Sequence, residues 1–185
     1  MDDSVKKNSD IREFIEALVV AVILAGFIIT FIVQSFVVEG RSMEPTLYDG
    51  QRLFVNKFIY RFTEIKHGDI VVFRYPLNPA KKYIKRVIGV AGDTIYITDG
   101  KVYLNGVLLE EDYILEKTKR TWGPYEVPEG RIFVMGDNRN NSDDSRYSDV
   151  GFVLKETVIG KAFVIYWPLS NVKILKSPEL NMAKR

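Results

Sequence analysis

The 185-residue chain has no cysteine and a single histidine, His67. The first absence removes thiol nucleophiles, disulfide frameworks and Cys-ligated zinc or iron–sulfur centres. The second removes the zinc proteases built on HExxH, which need two histidines, and leaves His67 as the one route for any Ser-His-Asp mechanism. His67 lies in Lys66-His67-Gly68-Asp69, a turn signal before a strand, and reads as a surface turn residue rather than a base. A marked excess of either charge is missing as well. Lys+Arg 26 against Asp+Glu 24 leaves +2, too weak a field to attract nucleic acid, so no nucleic-acid partner is expected. Internal repeats and low-complexity linkers are also lacking. The length fits one domain, or one domain with a small extension.

What is present is uneven. Residues 17–38 form an uncharged run of 22 residues. As a helix it would reach roughly 33 Å, against a hydrocarbon core of about 30 Å. It is longer than the apolar region of a cleavable signal peptide, and no Ala-x-Ala-like site follows it. The expectation is a retained transmembrane anchor at 17–38, after a cytoplasmic tail at 1–16 and before an extracytoplasmic domain at 39–185. Lys6, Lys7 and Arg12 precede the run while Arg41 and Arg52 follow it, which favours an inside N-terminus in the plasma membrane.

Beyond the anchor the period becomes extended, and no long amphipathic helix appears. Runs at 52–55, 69–75, 83–90, 94–98, 102–104, 131–135 and 157–167 read as strands. Asp99-Gly100 and Asn105-Gly106 tolerate positive φ in tight hairpins, so residues 94–109 read as a β-ribbon. The fold class expected is mostly β, with a small β extension around 99–125 and a loosely ordered tail from Ser177.

Three segments carry polar groups that could do chemistry. Gly40-Arg41-Ser42-Met43-Glu44-Pro45-Thr46-Leu47 places a serine just beyond the apolar run. Such a serine is usually a turn residue, and is nucleophilic only when a neighbour takes its proton. In Lys82-Tyr83-Ile84-Lys85-Arg86-Val87-Ile88-Gly89, alternation puts Lys85 on a face with Tyr83 and Val87. Most strand lysines snorkel to solvent, but a buried one loses part of its affinity for the proton and can serve as a base. Gly136-Asp137-Asn138-Arg139-Asn140-Asn141-Ser142-Asp143-Asp144-Ser145-Arg146 is rich in Asp and Asn. Counted from Asp137, its sixth and twelfth positions are Ser142 and Ser148, so it fails the EF-hand pattern. Its reading is a loop that orders neighbouring groups. No metal or cofactor is implied.

In this order behind one membrane anchor, the three segments closely resemble bacterial type I signal peptidases, Ser/Lys proteases that remove signal peptides from exported preproteins. The resemblance rests on Ser-Met-x-Pro-Thr-Leu, Tyr-Ile-Lys-Arg-Val-Ile-Gly and Gly-Asp-Asn-Arg-x-Asn-Ser-x-Asp-Ser-Arg, and covers most of the chain. It implies Ser42 as nucleophile, Lys85 as general base and Ser142 as the residue orienting Lys85. Arg86 with Asp137, and Asp144 with Arg146, would hold the site together. Phe36, Val38, Met43, Leu47, Tyr83 and Ile84 would line shallow apolar pockets for the small side chains of an Ala-x-Ala-like site, and the Ser42 N–H would face the oxyanion. The partners implied are secretory preproteins and the lipid bilayer.

Gly40 replaces a serine that supplies a second oxyanion donor in the Gram-negative form. The single anchor and short β extension look like the Gram-positive form. Two rivals stand beside this reading: a repressor-type self-cleaving Ser/Lys protease, disfavoured by the membrane span, and a non-catalytic membrane-anchored scaffold.

Overall fold

The computed structural model describes the backbone of residues 2–177 and the side chains of 12–26 and 32–177. Helix α1 (Asp2–Phe31) leads into twelve strands: β1 (Val33–Val37), β2 (Arg52–Asn56), β3 (Ile70–Tyr75), β4 (Asn78–Val90), β5 (Thr94–Thr98), β6 (Lys101–Leu104), β7 (Val107–Leu108), β8 (Trp122–Glu126), β9 (Arg131–Met135), β10 (Val153–Leu154), β11 (Val158–Trp167) and β12 (Lys173–Ile174). The larger sheet runs β1-β2-β11-β3-β4-β9-β10, with β12 added to β11, and the smaller runs β7-β6-β5-β8. The mostly β expectation holds.

Strands β3 and β9 show why the larger sheet forms. Ile70 and Val72 enter one apolar cluster while Val71 and Phe73 enter another, because successive side chains leave a strand on opposite faces. Strand β9 does the same, with Ile132 and Val134 on one side and Phe133 and Met135 on the other. Each such side chain stabilises the fold by about 1.5–3 kcal/mol on burial. A third cluster, around Ile88, Ile95, Ile97, Val102 and Phe133, joins the two sheets.

The hairpin signals come out as read: Asp99, Gly100, Asn105 and Gly106 all have positive φ. The extension is larger than 99–125. It is a four-stranded sheet from Thr94 to Glu126, because Gly123 and Pro124 punctuate a strand that the sequence pattern hides.

The 17–38 run is not one helix. The helix ends at Phe31, and Val33–Val37 pairs antiparallel with β2, Phe36 opposite Leu53. Val33, Phe36 and Val37 are β-branched or aromatic, and an open sheet edge offers them hydrogen bonds that composition alone cannot reveal. Among the described residues no helix is long and apolar enough to cross a membrane. The helix is nevertheless bare: Phe14, Ile15, Leu18, Val19, Val20, Val22, Ile23 and Leu24 are all at least half exposed. The tail from Ser177 lies outside the described residues except for Ser177 itself, whose hydroxyl donates to Asp69 Oδ1 at 2.7 Å.

Candidate active site

Ser42 sits on a loop that leaves the edge of the sheet after β1 and returns at β2. Val38 N–H donates to Gln51 O and Gly50 N–H to Val38 O, which close the loop at its neck. Val38, Met43 and Leu47 pin its underside into the core. Gly40 has φ +83°, a conformation that favours glycine. Its N–H donates to Asp49 Oδ1 at 2.7 Å, so this group is already occupied.

Lys85 reaches Ser42 from β4. On one side β4 pairs with β3 across Lys85 and Val71. On the other side pairing with β9 begins only at Arg86, opposite Met135. Lys85 therefore sits at the point where β4 acquires a free edge. Lys85 Nζ lies 2.8 Å from Ser42 Oγ, 3.1 Å from Ile84 O and 5.1 Å from the centre of the Tyr83 ring. The residue is 4% exposed. Burial lowers its pKa from 10.5 to about 8, against the opposing pull of Asp144, Asp143 and Asp137 and with help from Arg146.

The 136–146 loop holds the two together. Asn138 N–H donates to Ser42 O at 3.0 Å, and its side-chain amide donates to Arg41 O at 3.1 Å. Arg86 makes a bidentate pair with Asp137 (2.8 and 2.7 Å), and Thr46 donates to the same carboxylate at 2.5 Å. Arg146 likewise clasps Asp144 through two bonds of 2.8 Å. Both pairs expected from the resemblance are formed. Ser142 is close by, and its hydroxyl donates to Asp144 Oδ2 at 2.7 Å, which leaves its oxygen lone pairs free to accept; the hydrogen bonds of Lys85 Nζ run to Ser42 Oγ and Ile84 O.

The cleft over Ser42 and Lys85 has a volume of about 830 Å³ and is walled by residues 34–43, 80–85 and 141–143. Phe36, Val38, Met43, Tyr83 and Ile84 line it. Leu47 does not: it is fully buried beneath the loop, because the turn closed by Leu47 N–H on Met43 O directs it inward. His67 is in a turn as read, yet its Nε2 meets Asp93 Oδ2 at 2.6 Å, which ties that turn to the start of the small sheet.

Several residues of the site escaped the sequence reading. A Cβ on Gly136 would fall on Ser142 Oγ and the Ser42 carbonyl oxygen, so only glycine lets the loop close over Ser42. Thr46, Asn138, Arg139, Glu111 and Tyr113 also contribute. The first three lay inside the quoted motifs, while Glu111 and Tyr113 carried no local signal.

The family described as "Signal peptidase, peptidase S26" matches residues 11–167. Signal peptidase I P of Bacillus subtilis subsp. natto is 38% identical over 188 residues, covering 95% of this chain and 99% of its own. A probable signal peptidase I-2 of Synechocystis is 42% identical over 166 residues, covering 86% of this chain and 75% of its own. A crystal structure of a signal peptidase I from Enterococcus faecalis aligns with a TM-score of 0.48 and 36% identity, over 54% of this chain and 97% of that one. The chain belongs to the signal peptidase family, peptidase S26.

Proposed function

We propose that the protein is a membrane-bound serine endopeptidase that removes signal peptides from exported preproteins, with Ser42 as nucleophile and Lys85 as general base. The observation that carries this is the 2.8 Å approach of a buried lysine to a serine. When neutral, Lys85 accepts the Ser42 proton as Oγ attacks the scissile carbonyl, and the resulting ammonium returns it to the leaving amine. Water then releases the acyl group by the same exchange. The Ser42 N–H faces the developing oxyanion, a contact of a kind worth a few kcal/mol. Arg86–Asp137, Asp144–Arg146 and Ser142 position these groups.

The substrate fits as an extended strand. Strand β1 is an edge of its sheet, and β4 is unpaired towards β9 before Arg86. These two free edges wall the cleft, and backbone hydrogen bonds to either one would hold a peptide in register. The apolar side chains of Phe36, Val38, Met43, Tyr83 and Ile84 line the cleft and would form shallow recesses for small residues on an Ala-x-Ala pattern.

We further propose that α1 anchors the protein in the bilayer as a single pass with its N-terminus inside. Its large apolar side chains along 14–24 are at least half exposed, and lipid would cover them. Phe31 is followed within two residues by β1, so the cleft would sit at the membrane surface, where a tethered substrate is at high effective concentration.

Cleavage of a purified preprotein by detergent-solubilised wild type, Ser42→Ala and Lys85→Ala, with the product N-terminus determined, tests the chemistry. Cleavage after a small residue by wild type alone is expected, and turnover surviving in either variant would move the chemistry elsewhere. Since the chain lacks cysteine, single Ser4→Cys and Thr98→Cys variants report topology in intact cells. A membrane-impermeant maleimide should label only position 98, and labelling at position 4 would overturn the inside N-terminus.

A further inference from the structure

Arg86 uses every edge of its guanidinium. Nε and Nη2 bind Asp137, Nη1 donates to Gly68 O at 3.0 Å, and Nη2 also reaches Thr46 Oγ1 at 3.3 Å. Its flat face is a separate surface, weakly hydrated and suited to an aromatic ring. The ring of Tyr113 covers it, with Arg86 Cζ 4.2 Å from the ring centre.

Tyr113 belongs to the segment 109–121 between β7 and β8 of the small sheet. This segment is fastened to the 136–146 loop along its length. Glu111 takes both terminal nitrogens of Arg139, at 2.7 and 2.5 Å, and accepts the Tyr113 hydroxyl at 3.0 Å. Arg139 Nε in turn donates to Gly136 O at 3.2 Å. Leu115 N–H donates to Asp137 O, and Arg146 donates to Thr118 Oγ1 at 2.8 Å. The small sheet thus reaches the residue next to the base and the loop beside the nucleophile, without entering the cleft.

From this juxtaposition we infer that Tyr113 and Glu111 are positioning residues: they clamp Arg86 and Arg139 so that Lys85, at the free edge of β4, is held dry against Ser42. The inference rests on Lys85 being the base. The need for a clamp is local. Toward β9, Lys85 has no strand partner, so on that side its backbone is restrained through Arg86, whose orientation depends on Asp137 below and Tyr113 above.

The charged and titratable groups near Lys85 are Asp137, Asp143, Asp144 and Arg146 of the loop, with Tyr83 and Arg86 on its own strand. Glu39, Arg41, Lys81 and Lys82 stand along the cleft walls, and β3 presents neutral Val71. A change at Tyr113 removes none of these charges. A loosened clamp acts instead by admitting water to Lys85, which raises its affinity for the proton toward that of an ordinary lysine.

The test is kcat and KM against pH for the full-length enzyme in detergent on a purified preprotein, for wild type, Tyr113→Leu, Tyr113→Phe and Glu111→Gln, with thermal melts as the check on folding. Tyr113→Leu should lower kcat at neutral pH about tenfold with KM within about twofold, the scale expected for a slightly misplaced catalytic group. Its acid limb should move to higher pH. Tyr113→Phe keeps the ring and should restore most of both, while Glu111→Gln should shift the limb in the same direction by less. A lesion of stability alone would lower activity at every pH and leave the limb in place. A folded Tyr113→Leu enzyme with the wild-type kcat and limb overturns the inference, as does a loss that Tyr113→Phe fails to reverse. Should Tyr113→Leu not fold, an unmoved limb in Glu111→Gln overturns it. Ser42→Ala and Lys85→Ala run alongside separate the two levels: wild-type turnover in either defeats the dyad itself, whatever Tyr113 does.

Discussion

Lowering the pH protonates the proposed base, and the structure sets where this should be felt. With a pKa of about 8, roughly 9% of Lys85 is neutral at pH 7, against about 0.03% for a lysine at 10.5. Burial therefore supplies about a 300-fold larger pool of competent base at neutral pH. Below about pH 8, kcat/KM should fall close to tenfold per pH unit, with a plateau above. Asp143 offers a direct perturbation, because it is exposed on the cleft wall and its charge favours the ammonium. Asp143→Asn removes that attraction, and at the strength of a solvent-screened pair the acid limb should move down by about 0.2 to 0.5 pH. The assay is kcat/KM on a soluble preprotein from pH 5.5 to 10, with salt held constant. A plateau running unchanged to pH 6 in wild type, or a limb that moves up in Asp143→Asn, would refute the lysine-base reasoning.

Other predictions concern what holds the site. Gly136→Ala puts a methyl group onto Ser42 O and Ser142 Oγ; turnover should fall by about a hundredfold or more with the fold retained, measured as kcat beside a thermal melt. Lys85→Met should be inactive yet more stable at pH 6–7. The wild-type lysine has a folded pKa below its unfolded value, so its charged form costs stability that is fully felt below about pH 8 and recovered as pH rises toward 10.5. The gain should be on the order of 2–3 kcal/mol, read by chemical denaturation at pH 6.5 and shrinking at pH 10. Asp137→Asn leaves Arg86, 2% exposed, without its counter-charge, and should cost about 3–5 kcal/mol in the same assay.

Much of the candidate site was legible because it lay in contiguous motifs. Ser42, Lys85, Arg86, Asp137, Asp144 and Arg146 each occupy a segment whose residue types announce a turn, a strand or an ordering loop, and the distances bring them together as the resemblance implied. The hairpins at Asp99-Gly100 and Asn105-Gly106 were equally readable, since positive φ is a local property of the chain.

What the sequence left open depends on partners far along the chain. Val33–Val37 has the composition of either a helix end or a strand, and the free edge of β2 decided it. Leu47 and Met43 look alike as apolar neighbours of Ser42 and both enter the same core cluster, but Met43 also borders the cleft while Leu47 does not. The partner of the Ser142 hydroxyl proton, Asp144 Oδ2, likewise shows only in the folded loop. Glu111 and Tyr113 carried no signal at all, since their meaning lies in a guanidinium face and an ion pair made across 27 and 28 residues of chain. Local backbone preference and short motifs are written in neighbouring residues and so survive in sequence. The dry contact of Lys85 with Ser42 arises only when β4, the 38–50 loop and the 136–146 loop are packed together, because desolvation is a property of the surrounding fold and not of the residue.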